Sequence, residues 1–215
     1  MRTPAALPTV PLEETIDASR RIVVRQSRDW IEMLDFEAPN RYALLTERGE
    51  LAGMAAEYPG GGKGQLSRWF LRSRRPFEMG IYAAGESRYP LLVLRRPWTW
   101  WLSRLVVEDA DGKTLGIVKQ RFTFVRRRFD VESPDGRVLA RIRGPILHPW
   151  TFVLETPGVG RELGRIEKKW SGMTSEVFTN ADTFLVTLPQ TDPVLKRLAI
   201  GAAVLVDFLF FEDRD

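Results

Sequence analysis

The stretch from Asp192 to Phe211 constrains this chain more than any other. From Leu198 onward it is apolar on every side, and Asp207 is its single charge before Glu212. Asp192 is placed to cap a helix and Pro193 to open it, because a missing N–H costs nothing in the first turn. The far end carries no such signal, since Glu212, Asp213 and Asp215 put acids at the negative end of the helix dipole. A helix that is apolar all round must be enclosed by protein or by lipid. A bilayer span takes about 20 largely uncharged residues, and this uninterrupted run is shorter. The expectation is a core helix around which the rest of the chain wraps, with a membrane-inserting segment as the alternative.

The rest of the chain has a pattern suited to wrapping. After Arg21–Gln26 and Trp30–Asp35, both strand-like, an alternating strand leads repeatedly into a glycine-bearing turn and a second alternating strand. The copies are Tyr42–Gly49 with Glu50–Ala56, Phe77–Gly85 with Tyr89–Arg95, Leu105–Gly112 with Lys113–Lys119, Arg128–Gly136 with Arg137–Arg143, and Phe152–Gly158 with Glu162–Lys168. The Asp-Gly pairs at 111–112 and 135–136 are the clearest hairpin signals. Five hairpins ending in one buried helix predict a closed antiparallel barrel, whose closure removes exposed edges and whose lumen the helix fills. Residues 1–19 read as a flexible lead-in and 20–215 as one domain.

Several kinds of chemistry find no support. There is no cysteine in the 215 residues, so disulfides, thiolate metal sites, thiol nucleophiles and palmitoyl anchors are excluded. The one histidine, His148, lies between prolines in Pro145–Trp150 and reads as a loop residue, not a catalytic base. The acidic pairs Asp109/Asp111 and Asp130/Glu132 fall at a hairpin turn and on one strand face, where turn chemistry and solubility account for them. Tyr58–Gly64 is glycine-rich but lacks the Gly-Lys-Ser/Thr ending of a phosphate loop, and reads as a flexible connection. No enzymatic activity is expected.

The net charge of +4 hides an asymmetry: residues 63–143 hold 18 Lys/Arg against 8 Asp/Glu, a balance of +10, which leaves −6 for the remainder. A basic middle facing one way favours anionic partners; strands alternating charge on a solvated face are the plainer account. Gln65–Arg72 has the pattern of a short amphipathic helix, packed on the barrel or lying on lipid. Residues 1–12 contain no apolar signal core, so export is not indicated.

The tail Ile200–Glu212, together with Gly164–Gly172 and Glu176–Phe184, resembles the signature end of the phospholipid scramblase family. Arg75-Pro-Phe77, Leu94–Pro97 and Gly144-Pro145 fall where that family has similar elements. The resemblance runs from about Arg21 to Glu212. It implies a mainly β, tubby-like closed antiparallel barrel of about twelve strands enclosing a hydrophobic C-terminal helix. It further implies association with anionic phospholipid membranes and phospholipid scrambling, in a cytoplasmic protein that is peripheral at the inner membrane face. The family's calcium segment falls on Asn180–Thr191, with Asn180, Asp182 and Thr191 at the ligand positions. Calcium prefers six to eight oxygens, several of them carboxylates, and this set supplies one, so calcium is a weak expectation. Where the family carries a cysteine-rich stretch, Leu94–Trp101 carries Trp98, Trp100 and Trp101, suited either to a lipid interface or to packing into the core or covering a barrel end.

The candidate headgroup contacts are Arg72, Arg74, Arg75, Arg95, Arg96, Arg126, Arg127, Arg128, Lys168 and Lys169. A nucleic-acid-binding or regulatory module is the alternative function, resting on Arg126–Arg128 and Lys168–Trp170 as phosphate and stacking contacts.

Overall fold

The computed structural model describes residues 9–26, 38, 40–58, 76–85, 88–124, 127–144, 150–169, 183–190 and 192–210. Twelve strands form one closed sheet: β1 (Arg21–Gln26), β2 (Arg41–Leu45), β3 (Leu51–Glu57), β4 (Phe77–Ala83), β5 (Leu92–Arg96), β6 (Arg104–Asp109), β7 (Thr114–Arg121), β8 (Arg127–Glu132), β9 (Val138–Gly144), β10 (Thr151–Glu155), β11 (Glu162–Lys169) and β12 (Thr183–Thr187). Each pairs antiparallel with its neighbours in sequence, and β1 pairs with β12 to close the barrel, Val23 facing Leu185. The five expected hairpins are β2–β3, β4–β5, β6–β7, β8–β9 and β10–β11.

Turn chemistry explains their closure. In Thr46–Gly49, Asp109–Gly112 and Ser133–Gly136 the glycine N–H donates to the carbonyl three residues earlier. The glycine then sits at φ +83, +78 and +89, a left-handed conformation that glycine adopts without penalty. Each turn is accompanied by a register shift in its hairpin, as at Val107/Glu108 and Val131/Glu132. Asp109 reinforces its turn by accepting from the Asp111 and Lys113 main-chain N–H groups at 3.1 and 2.9 Å.

The lumen is occupied by a helix of 18 residues, Pro193–Phe210. Asp192 caps it, its Oδ1 accepting from the Val194 N–H at 2.8 Å. Leu198 to Phe208 are buried without interruption, against inward residues that include Leu94, Leu105, Val118, Phe129, Ile142 and Phe152. The helix lies closest to β7 and β6. Two glycines permit that approach: a Cβ on Gly116 would stand 2.8 Å from Leu198 Cδ1, and one on Gly201 would stand 3.1 Å from Val107 Cγ2. Asp207, 2% exposed, accepts from the Tyr42 hydroxyl at 2.7 Å, which answers the cost of a carboxyl in the core. No helix among the described residues is long and apolar enough to cross a membrane.

Part of the stretch expected to be a flexible lead-in is helical. Leu12–Ala18 forms a helix, α1, and its Leu12 and Ile16 are buried. The core helix, α2, holds it in place: Lys196 Nζ donates to the Asp17 and Ser19 carbonyls, and Arg197 Nη1 meets Asp17 Oδ1 at 2.9 Å. Two apolar side chains and three polar tethers order a segment whose composition alone does not require it. The Trp30–Asp35 strand, the amphipathic reading of Gln65–Arg72 and His148 lie outside the described residues.

Candidate functional site

In an up-and-down barrel, odd-numbered strands finish and even-numbered strands begin at the same end. That end is also where α2 terminates, because β12 returns the chain to the opposite one. Cationic and aromatic residues collect there. The β5–β6 connection holds Trp98, Trp100, Trp101 and Leu102, and the β7–β8 connection holds Phe122 and Phe124, all exposed, with Trp101 at 90% and Phe124 at 93%. The Trp98 and Trp100 rings meet edge to face at 4.6 Å, as do Phe122 and Phe124 at 5.0 Å. Ser103 and Gln120 fasten the two connections together: the Ser103 N–H donates to Gln120 Oε1 at 3.0 Å, and the Gln120 N–H donates to the Ser103 carbonyl at 2.8 Å. Trp98, Trp100 and Trp101 are thus exposed at a barrel end and do not pack into the core.

The arginines of this end divide into two roles. Arg96 is 2% exposed, its Nε donates to Ser103 Oγ at 2.6 Å, and its guanidinium lies 4.9 Å from the Phe208 ring. Arg127 lies 4.0 Å from the Phe210 ring. The helix has no basic residue in its own last turn. Arg96 and Arg127 therefore bring positive charge from the barrel wall to the negative end of its dipole, and they stack on its terminal rings. Arg96 thus faces the helix end and not an external headgroup. Arg127 and Lys168 remain partly exposed, with Lys168 Nζ 5.6 Å from the Phe184 ring. Arg95 points outward between two acids, Glu108 at 2.8 Å and Glu78 at 2.9 Å. The Glu108 hydrogen bond is the largest influence holding its pKa above the ordinary arginine value.

The outer wall formed by β7 to β10 carries two cross-strand rows of charge. One row is wholly cationic: Arg121 opposes Arg128, which opposes Arg143. The next alternates, Lys119 facing Asp130, Asp130 facing Arg141, and Arg141 facing Glu155. The acids draw the arginines toward them. Arg121 Nε reaches Asp130 Oδ2 at 2.9 Å, Arg141 Nε reaches Asp130 Oδ1 at 3.3 Å, and Arg143 pairs with Glu155. Glu132 takes Lys119 and Arg121. The Asp130/Glu132 pair is thus neutralised inside a basic wall. Among the described residues, no cluster of three or more His, Cys, Asp or Glu is placed to hold a metal ion.

Of the expected headgroup contacts, Arg127 and Lys168 share the aromatic end with the buried Arg96, whereas Arg128 sits on the wall and Arg95 on the outer face of β5. Lys169 ends β11, and its side chain is not described; Arg72, Arg74, Arg75 and Arg126 lie outside the described residues, as do Asn180, Asp182 and Thr191 of the calcium segment. Sequence reasoning missed Phe122, Phe124, Arg141 and Arg143. The two phenylalanines stand close before Arg126–Arg128, an aromatic-next-to-arginine signal that was available; the two arginines carry no signal until the register is known.

A family model described as Scramblase matches residues 1–213. Phospholipid scramblase family member 5 from Homo sapiens is 27% identical over 223 residues, which cover 96% of this chain and 80% of that protein. Phospholipid scramblase 1 from Rattus norvegicus is 26% identical, over 97% of this chain and 65% of its own length. Phospholipid scramblase 2 from Bos taurus is 26% identical over 97% and 75%. In fold, the chain is similar to the X-ray structure of a protein from Arabidopsis thaliana, with a TM-score of 0.52 at 14% identity, covering 93% of this chain and 99% of that one.

Proposed function

The chain belongs to the Scramblase family, and from that premise we propose that it is a membrane-associated protein that binds anionic phospholipid. Docking uses the barrel end where α2 terminates, and the tubby-like kinship of the barrel is part of the same reading. One observation carries it: six exposed apolar side chains on two coupled connections, Trp98, Trp100, Trp101, Leu102, Phe122 and Phe124, stand beside the partly exposed Arg127 and Lys168. Exposed apolar clusters mark interaction surfaces, and indole rings settle at the lipid headgroup level. Each basic residue near an anionic leaflet adds about 1 kcal/mol, so the cations supply attraction and the aromatics supply depth.

Binding of this kind is electrostatic and interfacial and involves no bond chemistry. It places the protein at the inner, cytoplasmic membrane face. Transbilayer movement of lipid would need a polar route for headgroups. The lumen is filled by α2 and its apolar neighbours, so lipid contact is assigned to the outside of the barrel.

The test is co-sedimentation of the purified protein with vesicles of graded phosphatidylserine content, at low and high salt, with calcium or chelator. The expected result is binding that rises with anionic lipid and falls with salt. Equal binding in chelator would retire Asn180–Thr191 as a necessary switch. No binding to any vesicle would refute the membrane reading and leave the family membership describing the fold.

A further inference from the structure

A groove with a volume of about 790 Å³ opens on the outer wall beside the all-arginine row. Arg128, Arg141 and Arg143 line it, with Glu155 as the acid. Phe124 stands on one side and the β10–β11 turn, Thr156–Gly160, on the other. Three of its lining residues hold buried polar atoms without a hydrogen-bond partner among the described residues: Thr123 Oγ1, Arg128 Nε and Thr156 Oγ1.

Both features run against stability. Like charges directly opposite on neighbouring strands repel, and Arg121, Arg128 and Arg143 form two such pairs in succession. A buried polar atom without a partner bears a desolvation cost that nothing offsets. Counter-ions within the wall do not cancel the charge: among the described residues of β7 to β10, Lys119, Arg121, Arg128, Arg141 and Arg143 are opposed by Asp130, Glu132 and Glu155. One kind of ligand answers all of this together: a compact group with more than one negative charge and several acceptor oxygens.

We infer that this groove is a binding site for a phosphomonoester, with Arg128 and Arg143 as its principal contacts. Guanidinium forks match phosphate oxygens two at a time, which a lysine cannot do. Arg128 is the residue best placed, since its ion pair is the long one, 3.4 Å to Asp130, and its Nε is unused. Arg143 gives up part of its Glu155 contact on binding. The Thr123 and Thr156 hydroxyls supply donors from the two sides. Phe124 and Val159, the latter 78% exposed, give the mouth an apolar rim. That rim fits a headgroup presented by a membrane as well as a free phosphate compound. The assignment stands on the groove's own residues and does not depend on membrane docking.

The probes are potassium phosphate, with potassium sulfate at matched ionic strength as the control, and vesicles of phosphatidic acid or phosphatidylserine at equal surface charge. Phosphate is expected to raise the melting temperature saturably beyond the sulfate effect, and to shift the amide resonances of Thr123, Thr156 and Gly158. Arg128→Gln and Arg143→Gln are expected to weaken the phosphate response at least tenfold. Arg95→Gln, on β5 and outside the groove lining, keeps it. Should either groove variant fail to fold, the amide shifts in the wild-type protein decide the matter alone. Preference for phosphatidic acid assigns the groove to a lipid headgroup; a phosphate response without that preference assigns it to soluble phosphate compounds. A sulfate-like response together with no lipid preference overturns the site, even if the protein binds anionic vesicles well.

Discussion

Gly116→Ala tests how closely α2 is fitted to the barrel. The new Cβ would lie 2.6 Å from the Glu132 carbonyl oxygen on β8, and 2.8 and 3.0 Å from the two Leu198 methyl carbons. Ordinary van der Waals contact begins near 3.4 Å, so neighbours must yield by 0.4 to 0.8 Å. The carbonyl belongs to the β8 backbone, and Leu198 is fully buried inside a closed sheet, so neither can retreat freely. Overpacking of this kind costs about 1–3 kcal/mol. Against it stands the reduced entropy of the unfolded chain, worth about 0.4–1 kcal/mol to alanine. The net expectation is a loss of about 1–2 kcal/mol, which lowers the melting temperature by about 2–8 °C for a domain of this size. Urea denaturation followed by circular dichroism measures it. The cycle with Leu198→Ala separates the two contacts: removing the methyls relieves part of the strain, so the double variant loses about 0.5–1 kcal/mol less than the sum of the singles. An unchanged or raised stability for Gly116→Ala would refute the reasoning, since alanine is otherwise the better strand residue.

Tyr42→Phe leaves Asp207 short of one donor deep in the barrel, and about 1–3 kcal/mol of unfolding free energy is expected to go, read from the same denaturation curves. At the β8–β9 turn, the Ser133 hydroxyl, followed by the Arg137 main-chain N–H, holds the Asp135 carboxyl below the usual aspartate range. A depressed folded value means stability that is present above the unfolded pKa of about 3.9 and is lost as pH falls through the folded one. Ser133→Ala should therefore move the Asp135 carboxyl titration upward in a carbon-detected NMR experiment. Replacing Trp101 and Phe124 together by serine should lower vesicle partitioning about tenfold or more, because each ring loses part of the roughly 1.5–3 kcal/mol of a buried side chain. Unchanged co-sedimentation of that folded variant would exclude the aromatic end as the docking face.

Much of the architecture could be read from residue pattern because it is locally encoded. Glycine at a left-handed position ends a strand whatever the rest of the chain does, so Gly112 and Gly136 marked their hairpins. Asp192 and Pro193 marked the start of α2 for a similar reason. The short helix α1 left no such mark: Pro11 precedes it without a side-chain cap, and Lys196, which holds it, lies far along the chain. The site was less legible. An arginine in a strand reads as a surface charge, yet Arg96 is buried because a helix end that needs a cation happens to lie beside it. The row formed by Arg121, Arg128 and Arg143 depends on register. That register depends on the bulges near Glu108 and Glu132, which alternation alone does not locate.

The closing of the barrel also sets a timetable. β1 finds its second partner only in β12, and the lumen has no filling until α2 follows. At about 5–20 residues per second, roughly 10–30 s of translation separate β1 from the first turn of the helix. As they emerge during that interval, Phe77, Leu94, Phe129 and Phe152 have no helix to close over, and a growing sheet with two open edges is a template for other chains. The nascent protein therefore waits in a sticky, half-built form, and assembly is decided after its last strand emerges. Its yield in a cell should depend on holdase chaperones far more than its final stability would suggest.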